Sequence, residues 1–134
     1  MVSSLLKVRS SVKGVGRAPA FVQTFCQENA IPDKIASQLC VALDEILPGI
    51  AKITTSPRIH LEIIKNAQSL EFLITHESAS YDISNQQAIR WPPDAENSRL
   101  SGLSLQIVHN LLNKIECYPS GSMNTTRLIK NLEQ

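Results

Sequence analysis

The stretch Leu39-Cys40-Val41-Ala42-Leu43-Asp44-Glu45-Ile46-Leu47-Pro48-Gly49 decides the first half of the fold. Apolar residues recur around it at the three-to-four-residue spacing of one buried helix face; they are Ile35, Leu39, Ala42, Ile46, Ile50 and Ile53. Glu45 therefore lies beside the buried stripe. Pro48 cannot donate a backbone hydrogen bond, so we expect the helix to end near Leu47 or to kink there, with Gly49 as its cap.

Glu45 has two interpretations. A carboxylate held by a rigid helix at the rim of a core can act as a general base, because packing fixes its direction and partial burial adjusts its pKa. Charged residues beside an apolar stripe are also the usual surface of an amphipathic helix. The spacing alone favours the second interpretation, a solvated carboxylate.

The composition describes one soluble domain spanning 1–134, with a formal net charge of +1 and 43% hydrophobic residues. No apolar run approaches the roughly 20 residues that cross a bilayer, and the first ten residues lack the features of a signal peptide. We therefore expect a cytoplasmic protein without a membrane segment.

Cysteine and histidine spacing predicts neither a disulfide framework nor a metal site. The three cysteines have no Cys-x-x-Cys spacing, and the three histidines are widely separated. Buried free thiols are expected for the cysteines. These residues are Cys26, Cys40 and Cys117, and His60, His76 and His109.

The first 27 residues carry four bases, Lys7, Arg9, Lys13 and Arg17, and no acid. They could form a patch for an acidic protein partner, or they could be solvated residues that protect a sheet edge. Nucleic acid is a poorer candidate for the partner, since only 4% of the chain is aromatic and no platform of stacking side chains accompanies these lysines and arginines.

The remaining pattern predicts an α+β fold. Strict alternation in 59–64 and 70–74 around the turn 66–69 predicts a hairpin, and 76–101 is expected to be a lid-type or binding loop. A strand is expected at 5–9, a turn at 12–18, helices around 21–26 and 103–115, and a last strand near 125–132. This order fits a two-layer sandwich, with helices on one face of a mixed, mostly antiparallel sheet.

Three segments resemble the sequence motifs of a known protein family. Val41 to Gly49 matches a helix carrying Glu-x-x-x-Asn through Glu45, with Gly49 at the asparagine position. The segment His76 to Asp82 matches an Asp-and-glycine turn followed by an aromatic-Asp pair, and Gly102-Leu103-Ser104-Leu105 matches Gly-Leu-Gly-Leu. Together with the closing hairpin 121–128, the chain from about 5 to 132 resembles the anti-sigma factor serine kinases (RsbW/SpoIIAB-like).

The resemblance implies the Bergerat fold of histidine-kinase-like ATPases. It implies Glu45 as the catalytic base that acts on a serine hydroxyl, with Mg-ATP as the phosphoryl donor. It also implies a nucleotide pocket formed by Gly49, His76, Ser78, Ser80, Gly102, Ser104 and Thr126.

Departures from the motifs predict that ATP binding is degraded. Gly49 offers magnesium no side-chain oxygen, and His76 can accept the adenine amino group's hydrogen bond only through an unprotonated nitrogen. Serines at 78, 80 and 104 replace glycines that let a backbone approach phosphate closely. A nucleotide could still be held at the helix start of Gly102 and Ser104. We assign no metal ligand.

Three functions follow. The favoured one is an anti-sigma-factor-like regulatory module that binds a sigma factor or an anti-anti-sigma protein of the STAS type. Such a module would catalyse no reaction and would not contact nucleic acid directly. The second is an active ATP-dependent serine kinase, and the third is an unrelated α+β interaction domain. The resemblance further implies a homodimer, and Arg17 is the candidate partner-binding residue.

Overall fold

The computed structural model describes residues 1–77 and 102–132, with the backbone alone for 102–105. Nine elements follow one another along these ranges. They are β1 (Val2–Arg9), α1 (Val12–Val15), α2 (Ala18–Glu28), α3 (Asp33–Ile53), β2 (Arg58–Lys65), β3 (Ser69–Glu77), α4 (Gly102–Leu111), β4 (Lys114–Ser120) and β5 (Met123–Asn131). The α+β class predicted from the sequence is confirmed.

The five strands form one sheet in the order β1-β2-β3-β5-β4. All four ladders between the described strands are antiparallel. The predicted hairpin of 59–74 is present as β2 and β3, closed by a hydrogen bond of 2.8 Å from the Asn66 amide to the Ser69 carbonyl. The second hairpin, β4 to β5, turns at Gly121, whose φ of 63° favours glycine.

Side chains alternate between the two faces of the sheet, and the core lies on one of them. On β3 the buried row is Leu70, Phe72, Ile74 and His76. Helices α2, α3 and α4 provide the other half of this core through residues such as Val22, Leu43 and Val108. Phe21 of α2 meets Phe72 edge to face, with ring centroids 6.4 Å apart. The layers are therefore helices on one face of the sheet.

Helix α3 is longer than the proline led us to expect. It runs through Pro48 to Ile53, and Gly49 is a buried interior residue instead of the cap. Thr54 is the C-cap, and its amide donates to the Ile50 carbonyl over 3.0 Å. Burial of Ile50 on the apolar stripe supports the last turn and outweighs the hydrogen bond that Pro48 cannot make.

Three other boundaries differ from the predictions. The expected turn at 12–18 contains the short helix α1, capped by Ser11, whose Oγ accepts from the Gly14 amide over 3.0 Å. A Cβ on Gly14 would lie 2.1 Å from the Arg9 carbonyl oxygen, so glycine permits this close approach. Helix α4 ends at Leu111, and Ile115 belongs to β4. The first strand starts at Val2, three residues earlier than expected.

The expected lid-type loop 76–101 begins later than predicted. His76 and Glu77 belong to β3, because the ladder to β5 continues to the pair Glu77 and Met123. The remainder of the predicted loop, 78–101, lies outside the described residues.

No disulfide joins the three cysteines, all of which lie within the described residues. Cys26 and Cys40 are buried and Cys117 is half-buried, so the expectation of burial is met in full by the first two. Burial raises the pKa of Cys26 to about 11 and also raises that of Cys40. Among the helices of the described ranges, none is long and apolar enough to span a bilayer.

Candidate functional site

Within the described ranges, buried polar side chains gather at one end of the β3–β5 ladder. His76, Asn124 and Thr126 have exposed fractions of 0, 2 and 0%, and the other fully buried side chains of the described residues are apolar. His76 and Asn124 are directly opposite in the register, and Thr126 lies two residues further along β5. All three belong to the row that faces the helices, so the structure brings two predicted pocket residues, His76 and Thr126, together.

His76 is uncharged at neutral pH. Burial lowers the pKa of its imidazole to about 4, and a hydrogen bond with the backbone of Glu77 opposes this effect. A neutral imidazole carries one N–H donor and one nitrogen acceptor. The position that the resemblance assigns to an adenine-binding carboxylate is thus a buried polar group without charge.

Asn124 is a site residue that the sequence analysis missed. Its Nδ2 atom is buried and makes no hydrogen bond with the described residues. A buried unpaired amide costs free energy, so its presence needs an explanation beyond packing. The signal was available in the sequence, since 124, 126 and 128 form a period-two row in which Asn and Thr interrupt the apolar pattern.

Thr126 connects this polar end to the next strand. It is opposite Cys117 in the β4–β5 register, and the Cys117 Sγ and Thr126 Oγ1 atoms are 4.0 Å apart. The polar end therefore extends from β3 across β5 to β4.

The C-terminal end of α3 is fastened beside His76. The Glu77 carbonyl accepts hydrogen bonds from the Thr54 hydroxyl, the Thr55 amide and the Thr55 hydroxyl, at 2.7, 2.7 and 3.2 Å. Glu45 and Gly49 precede this end of the helix by about two turns and one turn. Glu45 is half-buried, as expected for a residue beside the stripe, and Gly49 is buried.

Helix α4 is oriented by contacts at the other end of the sheet. The Lys130 ammonium donates to the Leu111 carbonyl over 2.8 Å, which fixes the last residue of α4 near the end of β5. The start of α3 lies there as well, since Pro32 and Ile35 line a cleft of about 550 Å³ together with Lys130. Helix α4 also packs against α3.

The remaining predicted site residues lie elsewhere or outside the description. Ser78 and Ser80 are outside the described residues, and Ser104 is described by its backbone alone, within α4. Arg17 is exposed at the N-cap of α2, where its side chain makes no capping hydrogen bond.

The side chains of the predicted pocket that the structure describes, those of His76 and Thr126, are uncharged at neutral pH. Gly49, where the resemblance places a magnesium-binding asparagine, has no side-chain oxygen to offer a metal. In the described part of the chain, no three His, Cys, Asp or Glu side chains gather in a way that could hold a metal ion. His76 and Asn124 can exchange hydrogen bonds with an uncharged ring, but they do not neutralise phosphate charge.

The comparisons with known proteins give a structural likeness. No family model matches the chain, and no curated protein matches it in sequence. Among solved structures, the fold is similar to the RsbU and RsbW domains of Rv1364c from Mycobacterium tuberculosis, with a TM-score of 0.70 and 7% identity. The alignment covers 100% of this chain and 33% of that chain. The likeness shows the fold, which is the one that the sequence motifs suggested.

Proposed function

We propose that this chain is an anti-sigma-factor-like regulatory protein that binds a sigma factor or an anti-anti-sigma protein of the STAS type and transfers no phosphoryl group. The fold supports the first half, since the chain is similar along its whole length to a structure that includes an RsbW domain. Partner identity is part of the proposal, because fold likeness alone does not determine it.

One observation supports the second half. His76 and Gly49 occupy the positions where the resemblance places the adenine-binding and magnesium-binding residues. His76 is buried and uncharged, and Gly49 is buried without a side chain. Phosphoryl transfer depends on metal ions that neutralise developing charge on the phosphate oxygens. A chain that keeps the fold and lacks the magnesium ligand is suited to partner binding without phosphoryl transfer.

Two measurements test this function. Calorimetry with a non-hydrolysable ATP analogue, with and without magnesium, should show no magnesium-dependent heat. Binding of purified sigma factors and STAS-domain proteins from the same genome should show at least one complex. Magnesium-dependent binding in the micromolar range would contradict the proposal, and so would the absence of any complex across the panel.

Arg17 is the proposed partner-facing residue. It is exposed at the start of α2, and Lys13 is exposed on the preceding helix, so the two place positive charge on one short segment. Arg17→Glu should weaken the complex by about tenfold, mainly through its association rate. Lys34→Glu, at an exposed position on α3, is the matched control and should leave the affinity unchanged.

The active serine kinase is the second candidate, and Glu45 favours it. This carboxylate is half-buried on a helix whose end is fastened beside His76, the arrangement that a positioned general base requires. Incubation with labelled ATP, magnesium and each partner of the panel decides between the two. Labelled partner serine that disappears in Glu45→Ala would establish the kinase.

A further inference from the structure

Strand β1 is one edge of the sheet, with β2 as its neighbour on one side. The Ser10 amide donates to the Pro57 carbonyl over 3.0 Å, so these two residues extend the β1–β2 ladder as a hydrogen-bonded pair. Such pairs alternate along an antiparallel ladder. The even-numbered residues of β1 therefore bond to β2, and the odd-numbered residues point their backbone N–H and C=O groups away from the sheet.

Three residues present these outward backbone groups along the edge, Ser3, Leu5 and Lys7. No backbone group of the described ranges pairs with them. The row ends at Arg9, whose carbonyl oxygen is closely approached by Gly14 of α1. An edge strand with a row of unpaired backbone groups can accept an extended segment of another chain as a further strand.

The same odd-numbered residues turn their side chains to the face of the sheet opposite the helices, since Val8 between them is buried in the core. Leu5 exposes 73% of its surface there, and Lys7 and Arg9 are exposed as well. Arg58 of β2 is also exposed and lies directly opposite Arg9. Like charges at directly opposite positions of a ladder are destabilising, so this corner of the sheet favours an anionic neighbour.

No acid of the described ranges pairs with the basic side chains of this corner. The ion pairs among the described residues join side chains of β3, β4 and β5. Glu62, the acid of β2, lies opposite Leu5 and takes part in none of them. The Glu77 carboxylate at the end of β3 accepts a hydrogen bond from the Ser122 hydroxyl over 3.2 Å. The positive charge on β1 is therefore available to a partner.

The opposite edge strand, β4, differs in both respects. It contains Pro119, which has no backbone N–H to donate to an added strand. Its charged side chains are paired within the chain, since Glu116 lies 3.2 Å from the Lys114 ammonium and 2.9 Å from the Arg127 guanidinium. Proline and charge protect an edge against further pairing. Of the two edges, β1 is the one suited to accept a strand.

We propose that β1 binds an extended acidic segment of a partner protein, which adds to the sheet antiparallel to β1. A carboxylate of this segment opposite Lys7 lies beside Arg9 as well, and an apolar side chain opposite Leu5 covers that residue. A second copy of the chain does not supply this chemistry, because β1 contains two basic residues and no acid. The inference is independent of the proposed function, since the chemistry of the segment follows from β1 alone.

A synthetic peptide with blocked ends, Glu-Thr-Glu-Val-Ile-Thr-Thr, tests the edge. Antiparallel pairing sets its glutamates opposite Arg9 and Lys7 and its isoleucine opposite Leu5. Hydrogen exchange followed by NMR should show that the amides of Ser3, Leu5 and Lys7 exchange rapidly in the free chain and are protected in the complex. The amide of Val8, which bonds to β2, should be protected in both states.

Changes in the peptide and the chain separate backbone pairing from charge. N-methylation of the isoleucine removes an N–H that points at β1 and should abolish binding, whereas N-methylation of the adjacent valine, whose N–H points away, should retain it. Lys7→Glu should weaken binding by about tenfold, and replacing the second glutamate of the peptide by lysine should restore it. Lys34→Glu, at an exposed position on α3, is the matched control and should leave the affinity unchanged.

Three results would overturn the inference. They are no binding up to millimolar peptide, protection confined to residues outside β1, and amides of Ser3, Leu5 and Lys7 that are already protected in the free chain. The last result would mean that another part of the chain or a second copy occupies the edge.

Discussion

The two ends of the β3–β5 ladder differ in what the same strand pattern buries. Towards one end Phe72 faces Leu128, and both side chains of this pair are buried and apolar. At the other end His76 faces Asn124, and the buried row is polar although it continues the same alternation. Alternation decides which face a residue joins, and the residue type decides whether that part of the face stabilises the fold or serves a site.

The largest expected loss of stability comes from a substitution at the apolar end. Phe72→Ala removes a fully buried ring that contacts Phe21, and the unfolding free energy should fall by about 3–5 kcal/mol, measured by urea denaturation. The neighbouring residue Leu73 lies on the opposite face of β3, where it is half-buried, so Leu73→Ala should cost clearly less. Equal losses of unfolding free energy for the two variants would show that the two faces of β3 contribute equally to stability, against this prediction.

The polar end should respond to pH. The pKa of His76 is about 4 in the folded chain and 6.5 ordinarily, so the unfolded chain binds more protons between these values. The contribution of neutral His76 to the unfolding free energy is therefore fully present above pH 6.5. It is lost as the pH falls towards 4, by up to about 3 kcal/mol. His76→Gln should remove this slope, whereas the exposed His60→Gln should retain it. Chemical denaturation at a series of pH values provides the measurement, and a slope that survives His76→Gln would refute the assignment.

The smallest expected change in stability comes from a substitution that makes the polar end more apolar. Asn124→Val replaces an amide whose Nδ2 atom lacks a described partner, and it should raise the unfolding free energy by about 1 kcal/mol. Asn131→Val, exposed at the end of β5, should change it by less than about 0.5 kcal/mol. Thermal unfolding of both variants tests this, and destabilisation by Asn124→Val would indicate that the amide is satisfied within the fold.

Much of the fold was predictable because it depends on local periodicity. The hairpin of β2 and β3 follows from strict alternation, and the stripe of α3 from its helical spacing. The end of α3 was not predictable from local propensity, because the burial of Ile50 overrides the local effect of Pro48. Ile115 was assigned to a helix because an apolar residue at that spacing fits either element until the strand pairing is known.

The candidate site was predictable only in part. His76 and Thr126 were identified through the resemblance, and their proximity follows from the pairing of β3 with β5, which joins strands about 50 residues apart. Asn124 was missed because a single polar residue next to a turn looks like part of the turn, although its place in the period-two row of 124, 126 and 128 indicates the core-facing side. The predicted roles of Ser78 and Ser80 stay predictions.

The triple hydrogen bond at Glu77 has a consequence for how this chain tolerates change in length. Thr54 and Thr55, which follow α3, donate these hydrogen bonds to the last carbonyl of β3. The hydrogen bonds therefore join the sheet to the helix layer at this position. Residues added immediately after that point are not needed to keep β3 or α3 in place. We therefore expect insertions after Glu77 to be accepted without loss of the core.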